Sequence, residues 1–230
     1  MDPFAEDDVN LPEPLDKAQA KAAFLLRLRA RGIRSLDVLR AVETVPRDIF
    51  VPHHYIDLAA REMSLPIACG QIMPEPWLVA RQMEALGAGA GDRVLEIGTG
   101  TGYATAILAR LTSYVLSLER FNALVLAAQE RMHGLGIKNV TIVWADGLRL
   151  PPEAGLFDRI LIHGALEKIP GSILGALAPS GVLIAARPDP EHAFKQKLVR
   201  ITRSGDDSLH ETTICSCRLG PLIPGKSLHL

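Results

Sequence analysis

Glu96-Ile-Gly-Thr-Gly-Thr-Gly-Tyr103 follows Arg93-Val-Leu and precedes an apolar, helix-forming run over residues 104–111. The order reads as a buried strand, a tight turn and a helix. Glycines at Gly98, Gly100 and Gly102 let the backbone bend sharply and let a ligand approach with no Cβ in the way. A dinucleotide fingerprint starting at Gly98 needs a glycine at position 103, and Tyr103 stands there. A pyrophosphate seated on this helix N-terminus is therefore not expected. A nucleotide-dependent oxidoreductase is disfavoured for the same reason.

The segments on either side repeat the alternation. Residues 114–118, 139–143, 157–162 and 181–186 read as four more strands, with helices over 122–134 and 170–177. Strands and helices in this order mean βαβ units. The expected fold is α/β and Rossmann-like: a mostly parallel sheet with helices on both faces. Residues 195–202 and 209–219 alternate with period two around Ser204-Gly-Asp-Asp207, which predicts an antiparallel C-terminal hairpin at a sheet edge.

At the other end, residues 15–31 are rich in helix formers and Gly32 follows as a stop. Ser35 is placed to cap a second helix, with Val38, Leu39, Val42 and Val45 on one face and Pro46 at its end. The mixed signals of residues 50–76 read as loops, a short helix and a small hairpin. One domain is expected over 15–230, after an acidic, flexible tail at 1–14. It divides into a helical, substrate-side segment (15–80), a ligand-binding core (81–190) and the hairpin (191–230).

Composition narrows the classes. Of 230 residues, 48% are hydrophobic and 22% charged, which excludes a wholly disordered chain. A net charge of −1 leaves no excess that would draw the whole chain to nucleic acid or anionic lipid. Three cysteines, Cys69, Cys215 and Cys217, cannot build a disulfide framework and suit a reducing compartment. The start is acidic rather than signal-like, and no apolar run approaches a membrane span, so a cytoplasmic protein is expected. Cys215 and Cys217 share a strand face but offer too few ligands for a metal, and none is expected.

Two acids complete the motif. Glu119 ends the second strand, where a carboxylate can accept both hydroxyls of a ribose. Asp146-Gly147 lies just past the third, where an acid can accept from an adenine amino group. Both lie at the carboxyl ends of parallel strands, the usual ligand crevice of an open α/β sheet. A strand-end acid that merely caps a helix is the plainer reading of either one alone. The spacing E-x-G-x-G-x-G resembles that of S-adenosylmethionine-dependent methyltransferases. That ligand has no phosphate and needs only a backbone shelf. The resemblance implies binding of S-adenosylmethionine, with S-adenosylhomocysteine as product. The implied residues are Glu96, Gly98, Thr99, Gly100, Gly102, Tyr103, Glu119, Arg120, Asp146 and Gly147.

Over residues 25 to 225 the chain resembles the protein-L-isoaspartate O-methyltransferase family. The resemblance rests on Leu28-Arg29, Gly32-Ile33, Val45-Pro-Arg-Asp-Ile-Phe-Val-Pro52, Leu65-Pro-Ile67, Gly70-Gln71 and Pro76. It continues through the glycine turn, Leu118-Glu-Arg120, Asp146-Gly147, Phe157-Asp-Arg159, Ile169-Pro170 and Pro221-Leu222. Pro-Arg-x-x-Phe-Val-Pro is specific to the family; the glycine turn is shared more widely. The resemblance implies methyl transfer to the free carboxylate of an L-isoaspartyl residue in a damaged protein, which is a repair reaction. It also implies last strands ordered differently from other methyltransferases.

Two departures matter most. The family's Gly-Gln-Thr-Ile-Ser, whose serine is taken as the active-site residue, is Gly70-Gln71-Ile72-Met73-Pro74 here. The catalytic residue is thus unassigned, and Ile72, Met73 and Pro74 are expected at the acceptor side. The family's Thr-Ala-Ala-Ala is His163-Gly164-Ala165-Leu166. His163 either fills the gap left by the lost hydroxyls, or bonds a backbone carbonyl, or contacts the acceptor carboxylate. A lesser departure, Cys217-Arg-Leu-Gly-Pro-Leu222, replaces a segment that helps hold the peptide in the family. These losses leave open a paralogue with another carboxylate acceptor, or a protein that binds S-adenosylmethionine without turnover. Met73 and Trp77 either wall the acceptor pocket or belong to the core. His53-His54 are expected to be exposed, and Lys195, Lys197, Arg200 and Arg203 to form a solvated strand face. Oligomeric state is not legible.

Overall fold

The computed structural model describes residues 17–192 and 194–227. The expected tail at 1–14 lies outside them. Two N-terminal helices, α1 (Lys17–Ala30) and α2 (Leu36–Thr44), open the fold. Ser35 caps α2 by accepting from the Val38 amide, and Val38, Leu39 and Val42 bury its inner face. Short 3-10 turns at Arg47–Phe50 and His53–Leu58 lead to a small hairpin of β1 (Leu65–Pro66) and β2 (Ile72–Met73). His53 and His54 are exposed, as expected.

One helix was not read from the sequence. The stretch between Pro76 and Arg93 holds α3 (Pro76–Leu86), with proline in its first turn and Gly87 left-handed at its end.

The core then alternates: β3 (Arg93–Ile97), α4 (Tyr103–Leu111), β4 (Tyr114–Glu119), α5 (Asn122–Gly134), β5 (Val140–Trp144), β6 (Phe157–Ala165), α6 (Gly171–Gly175), β7 (Leu177–Pro188), β8 (Gln196–Arg203) and β9 (Leu209–Cys217). One seven-stranded sheet runs β5-β4-β3-β6-β7-β8-β9. Its first five strands are parallel; β8 and β9 add antiparallel at one edge in sequence order.

The sheet separates two apolar layers. Val94, Val115, Leu161 and Val182 pack with α2 to α5 on one face. Leu95, Ile160 and Leu183 pack with Ile173 of α6 on the other. Strands buried on both faces explain the continuous apolar runs. The second face has little helix. The helix expected at 170–177 stops at Gly175, because Leu177 is already paired with Phe157 as the first residue of β7. Leu148, Leu150 and Ala154 cover the remainder.

The basic stretch on β8 is less solvated than expected. Arg200 donates from Nε to the Ala85 carbonyl and Arg203 donates to the Leu174 carbonyl, so both are half-buried tethers. Beyond β9 the chain crosses the carboxyl edge of the sheet. The Ala165 amide donates to Gly220 O and the Leu222 amide to Ala165 O, at the end of β6. Further on, the Ser227 amide donates to Arg120 O, just past β4. The segment thus spans the end of β3, which lies between those two strands.

Candidate active site

The glycine turn sits at the end of β3, where the chain passes into α4. Gly98, Gly100 and Gly102 have φ of +94°, +56° and +90°. Those angles favour glycine over any residue with a Cβ. A Cβ on Gly102 would also crowd Met132 and Ala128 of α5, at 3.0 and 3.3 Å. A Cβ on Gly100 would meet only Ile67, at 3.5 Å. At Gly100 it is conformation, not crowding, that calls for glycine.

Glu119 faces this turn from the end of β4 and is only 5% exposed. Its Oε2 accepts from the Gly100 amide at 2.9 Å, and its Oε1 from the Phe121 amide at 3.0 Å. Each carboxylate oxygen has two lone pairs. One acceptor position therefore remains on each, which suits a vicinal diol. Asp146 lies past β5. Its Oδ1 accepts from the Leu148 amide at 3.0 Å. Among the described residues its buried Oδ2 has no hydrogen-bond partner, with the exposed Arg149 guanidinium 3.6 Å away. A buried acceptor left open is expected to have a donor in the working protein, and an exocyclic amino group has the chemistry to be that donor. A Cβ on Gly147 would fall 2.5 Å from Ile97 Cγ2, so this glycine packs the loop against β3.

The remaining motif residues lie behind the turn. Glu96 is 0% exposed. Its Oε2 accepts from Thr105 Oγ1 at 2.5 Å and Ser117 Oγ at 2.6 Å, and its Oε1 lies 2.9 Å from His163 Nε2. Thr99 Oγ1 bonds Ser117 Oγ at 2.5 Å. Tyr103 is buried against Phe50, with ring centroids 5.5 Å apart, and burial raises its pKa. Arg120 turns outward: its Nε donates to Gly225 O, at 3.1 Å, in the C-terminal segment. The side chains of Glu96, Thr99, Tyr103 and Arg120 are thus engaged with the protein itself. His163, expected near the acceptor, has its Nε2 committed to Glu96.

The acceptor-side residues divide. Ile72 is 64% exposed, whereas Met73 is buried and its sulfur accepts from Thr101 Oγ1 at 3.6 Å. Trp77 is half-buried, with the Arg31 guanidinium 4.3 Å above its ring. Sequence reading missed the residue that organises this loop. Arg47, from Pro46-Arg47-Asp48-Ile49-Phe50-Val51-Pro52, is 6% exposed. It donates to the carbonyls of Ala59 at 2.9 Å, Met63 at 3.1 Å and Pro74 at 3.0 Å. Burial lowers its pKa from the ordinary arginine value. The motif itself was the signal, but not its target. Ser117 was signalled only as a polar residue inside an apolar strand.

Burial pushes the Cys217 thiol up to about 12. Among the described residues, Asp189, Glu191 and His192 form the one group close enough to share a metal. They lie near the surface, and Asp189 is already paired with Lys197 at 3.0 Å. Also among the described residues, no helix is long and apolar enough to cross a membrane.

A seven-stranded α/β sheet, a glycine turn and two strand-end acids with free acceptor positions define a Rossmann-like, S-adenosylmethionine-dependent methyltransferase. The family model for protein-L-isoaspartate(D-aspartate) O-methyltransferase matches residues 19–227. The chain belongs to this family. It is 44% identical over 212 residues to the protein-L-isoaspartate O-methyltransferase of Rhodopseudomonas palustris strain BisA53, covering 92% of this chain and 97% of that one. It is 47% identical over 206 residues to that of Bradyrhizobium sp. strain ORS 278, covering 89% and 94%. A Plasmodium falciparum structure described as a family member, solved with S-adenosyl-L-homocysteine, shares the fold. Its TM-score is 0.75 at 22% identity, covering 87% of this chain and 97% of that one.

Proposed function

We infer that the chain is an S-adenosylmethionine-dependent enzyme that methylates the free carboxylate of L-isoaspartyl residues in damaged proteins. Membership of the family over nearly the whole chain carries this reading. It also weighs against another acceptor or binding without turnover. When bound, adenosylmethionine supplies a methyl group on a sulfonium, already activated for displacement.

The residues of this chain then have separable tasks. Glu119 and Asp146 hold the nucleoside through their open acceptor positions, and Gly98, Gly100 and Gly102 form the shelf. Glu96, Thr99 and Tyr103 support that shelf from behind, and Arg120 secures the C-terminal segment. Ile72, Met73 and Pro74 line the acceptor side, with Arg47 holding Pro74 by its carbonyl. The whole acts as one domain over 15–230, working in the cytoplasm on isoaspartyl-containing protein chains.

No general base is needed. The nucleophile is the substrate's own α-type carboxylate, with a pKa of about 3.5, so it is ionised at neutral pH. Catalysis rests on holding oxygen, methyl and sulfur in line and keeping water out. Loss of the family serine removes one hydrogen bond to substrate, about 0.5–3 kcal/mol. That slows a positioned reaction by roughly 2- to 150-fold without abolishing it.

A methyl-release assay tests the reading, using an isoaspartyl peptide, its aspartyl twin and no peptide. Release only from the isoaspartyl peptide is expected. Equal release from both peptides, or from neither, would overturn it.

A further inference from the structure

We propose that His163 is a positioning residue of the cofactor site, acting through Glu96 on the glycine turn. The Glu96 carboxylate joins four elements. Glu96 belongs to β3, two residues before Gly98; Ser117 lies opposite it on β4; Thr105 is in the first turn of α4; His163 is on β6, the other neighbour of β3. Two hydroxyl donors and the His163 Nε2 meet one fully buried carboxyl group at 2.5, 2.6 and 2.9 Å. Ser117 passes the restraint on to Thr99, inside the turn.

Among the described residues, His163 is the hydrogen-bond partner of Oε1. The two hydroxyls both bind Oε2. Without the imidazole, Oε1 becomes a buried acceptor lacking its partner, a more costly state than loss of an exposed bond. The carboxylate keeps its two hydroxyl bonds at Oε2 but loses the restraint on Oε1, so the turn loses one of its fixed points. The residue also abuts the turn through its Cβ and backbone, since a Cβ on Gly98 would meet His163 Cβ at 3.2 Å. This placement gives His163 no part in recognising the acceptor.

The inference rests on adenosylmethionine binding, but not on the identity of the acceptor. The test uses calorimetry with adenosylhomocysteine, together with steady-state kinetics on an isoaspartyl peptide. His163→Ala is expected to weaken adenosylhomocysteine binding roughly tenfold, with the peptide KM changed less than twofold. His163→Gln, which retains a side-chain amide donor, should recover most of the loss. In a Glu96→Gln background, His163→Ala should have little further effect, because the two act as a unit.

A raised peptide KM with unchanged adenosylhomocysteine affinity would overturn the proposal and return His163 to the acceptor side. Equal losses in the parent and Glu96→Gln backgrounds would overturn it as well, leaving the ring a space filler. If His163→Ala does not fold, Ser117→Ala removes another donor to the same carboxylate. Unchanged affinity in that folded variant would also count against the network. A parent that binds no adenosylhomocysteine would instead defeat the methyltransferase reading itself.

Discussion

The Gly100 amide donates to Glu119 Oε2 across 2.9 Å, so the acid that ends β4 also holds the turn that follows β3. A substitution at Glu119 is therefore expected to act twice, on the proposed ligand contacts and on the turn itself. Glu119→Ala should weaken adenosylhomocysteine binding by roughly 1.5–3 kcal/mol, the scale for hydrogen bonds to charged groups. Calorimetry reads the change as about a 10- to 150-fold rise in Kd. An unchanged Kd would remove Glu119 from the site.

Gly100 and Gly147 make a contrasting pair. Space exists beside Gly100, so Gly100→Val should fold, at a cost of about 1–3 kcal/mol for a branched residue at φ +56°. Ligand binding should nevertheless be lost, because the new side chain stands on the shelf. Gly147→Ala should mainly lower Tm, since its Cβ would fall 2.5 Å from Ile97 Cγ2. Tight adenosylhomocysteine binding by Gly100→Val would show that the turn faces away from the ligand.

How far the sequence carried depended on whether the signal was local. The glycine turn, the Ser35 cap and helix α5 follow from short-range chemistry, and all were legible. The helix Pro76–Leu86 was passed over although proline opens it and glycine closes it. The shortened α6 could not be foreseen, because Leu177 is claimed by pairing with Phe157, twenty residues away in sequence. The same limit applies at the site. Residue types showed which acids end strands, but not that Glu96 faces inward to His163, Ser117 and Thr105. Nor could spacing show that Arg47 reaches across to Pro74.

Glu84 ties α3 to the start of α2, and its contribution should depend on pH. Its Oε1 accepts from the Arg34 and Ser35 amides at 2.6 and 2.8 Å, and its Oε2 from Arg81 at 2.8 Å. Burial alone would raise its pKa, but the two amides and the guanidinium prevail and hold it below the ordinary carboxylate value. A depressed folded-state pKa stabilises the protein above the unfolded value, near ~4.3, and the benefit is lost as pH falls through the folded value. Glu84→Gln should cost about 1–3 kcal/mol at pH 7 and much less at pH 3. Urea melts at both pH values would check this; an equal cost at each would refute it.

Arg47 is the strongest candidate for a motif residue that shapes the acceptor side without touching the cofactor. Its guanidinium donates to carbonyls on both the 59–63 segment and Pro74. Lysine cannot reproduce that fork. Arg47→Lys should therefore destabilise by about 2–5 kcal/mol through carbonyls left unpaired. At a temperature where the variant stays folded, the peptide KM should rise while adenosylhomocysteine Kd is unchanged. A raised Kd with unchanged KM would assign Arg47 to the cofactor side instead.

The substituted loop offers the sharpest comparison with the rest of the family. Ile72 is 64% exposed on β2, so replacing it with threonine crowds nothing in the core. Pro74 keeps its carbonyl bond to Arg47 whatever its side chain, so Pro74→Ser leaves that tether in place. The serine also restores a backbone amide that proline lacks. The double variant Ile72→Thr/Pro74→Ser thus returns two hydroxyls to a loop whose backbone is already held. One or two regained hydrogen bonds to substrate are worth about 0.5–3 kcal/mol, so kcat/KM on an isoaspartyl peptide should rise roughly 2- to 150-fold. Adenosylhomocysteine affinity should stay as it was, because among the described residues neither side chain is hydrogen-bonded to the glycine turn. A double variant no faster than the parent, with the parent itself active, would show that the acceptor is held by groups outside this loop.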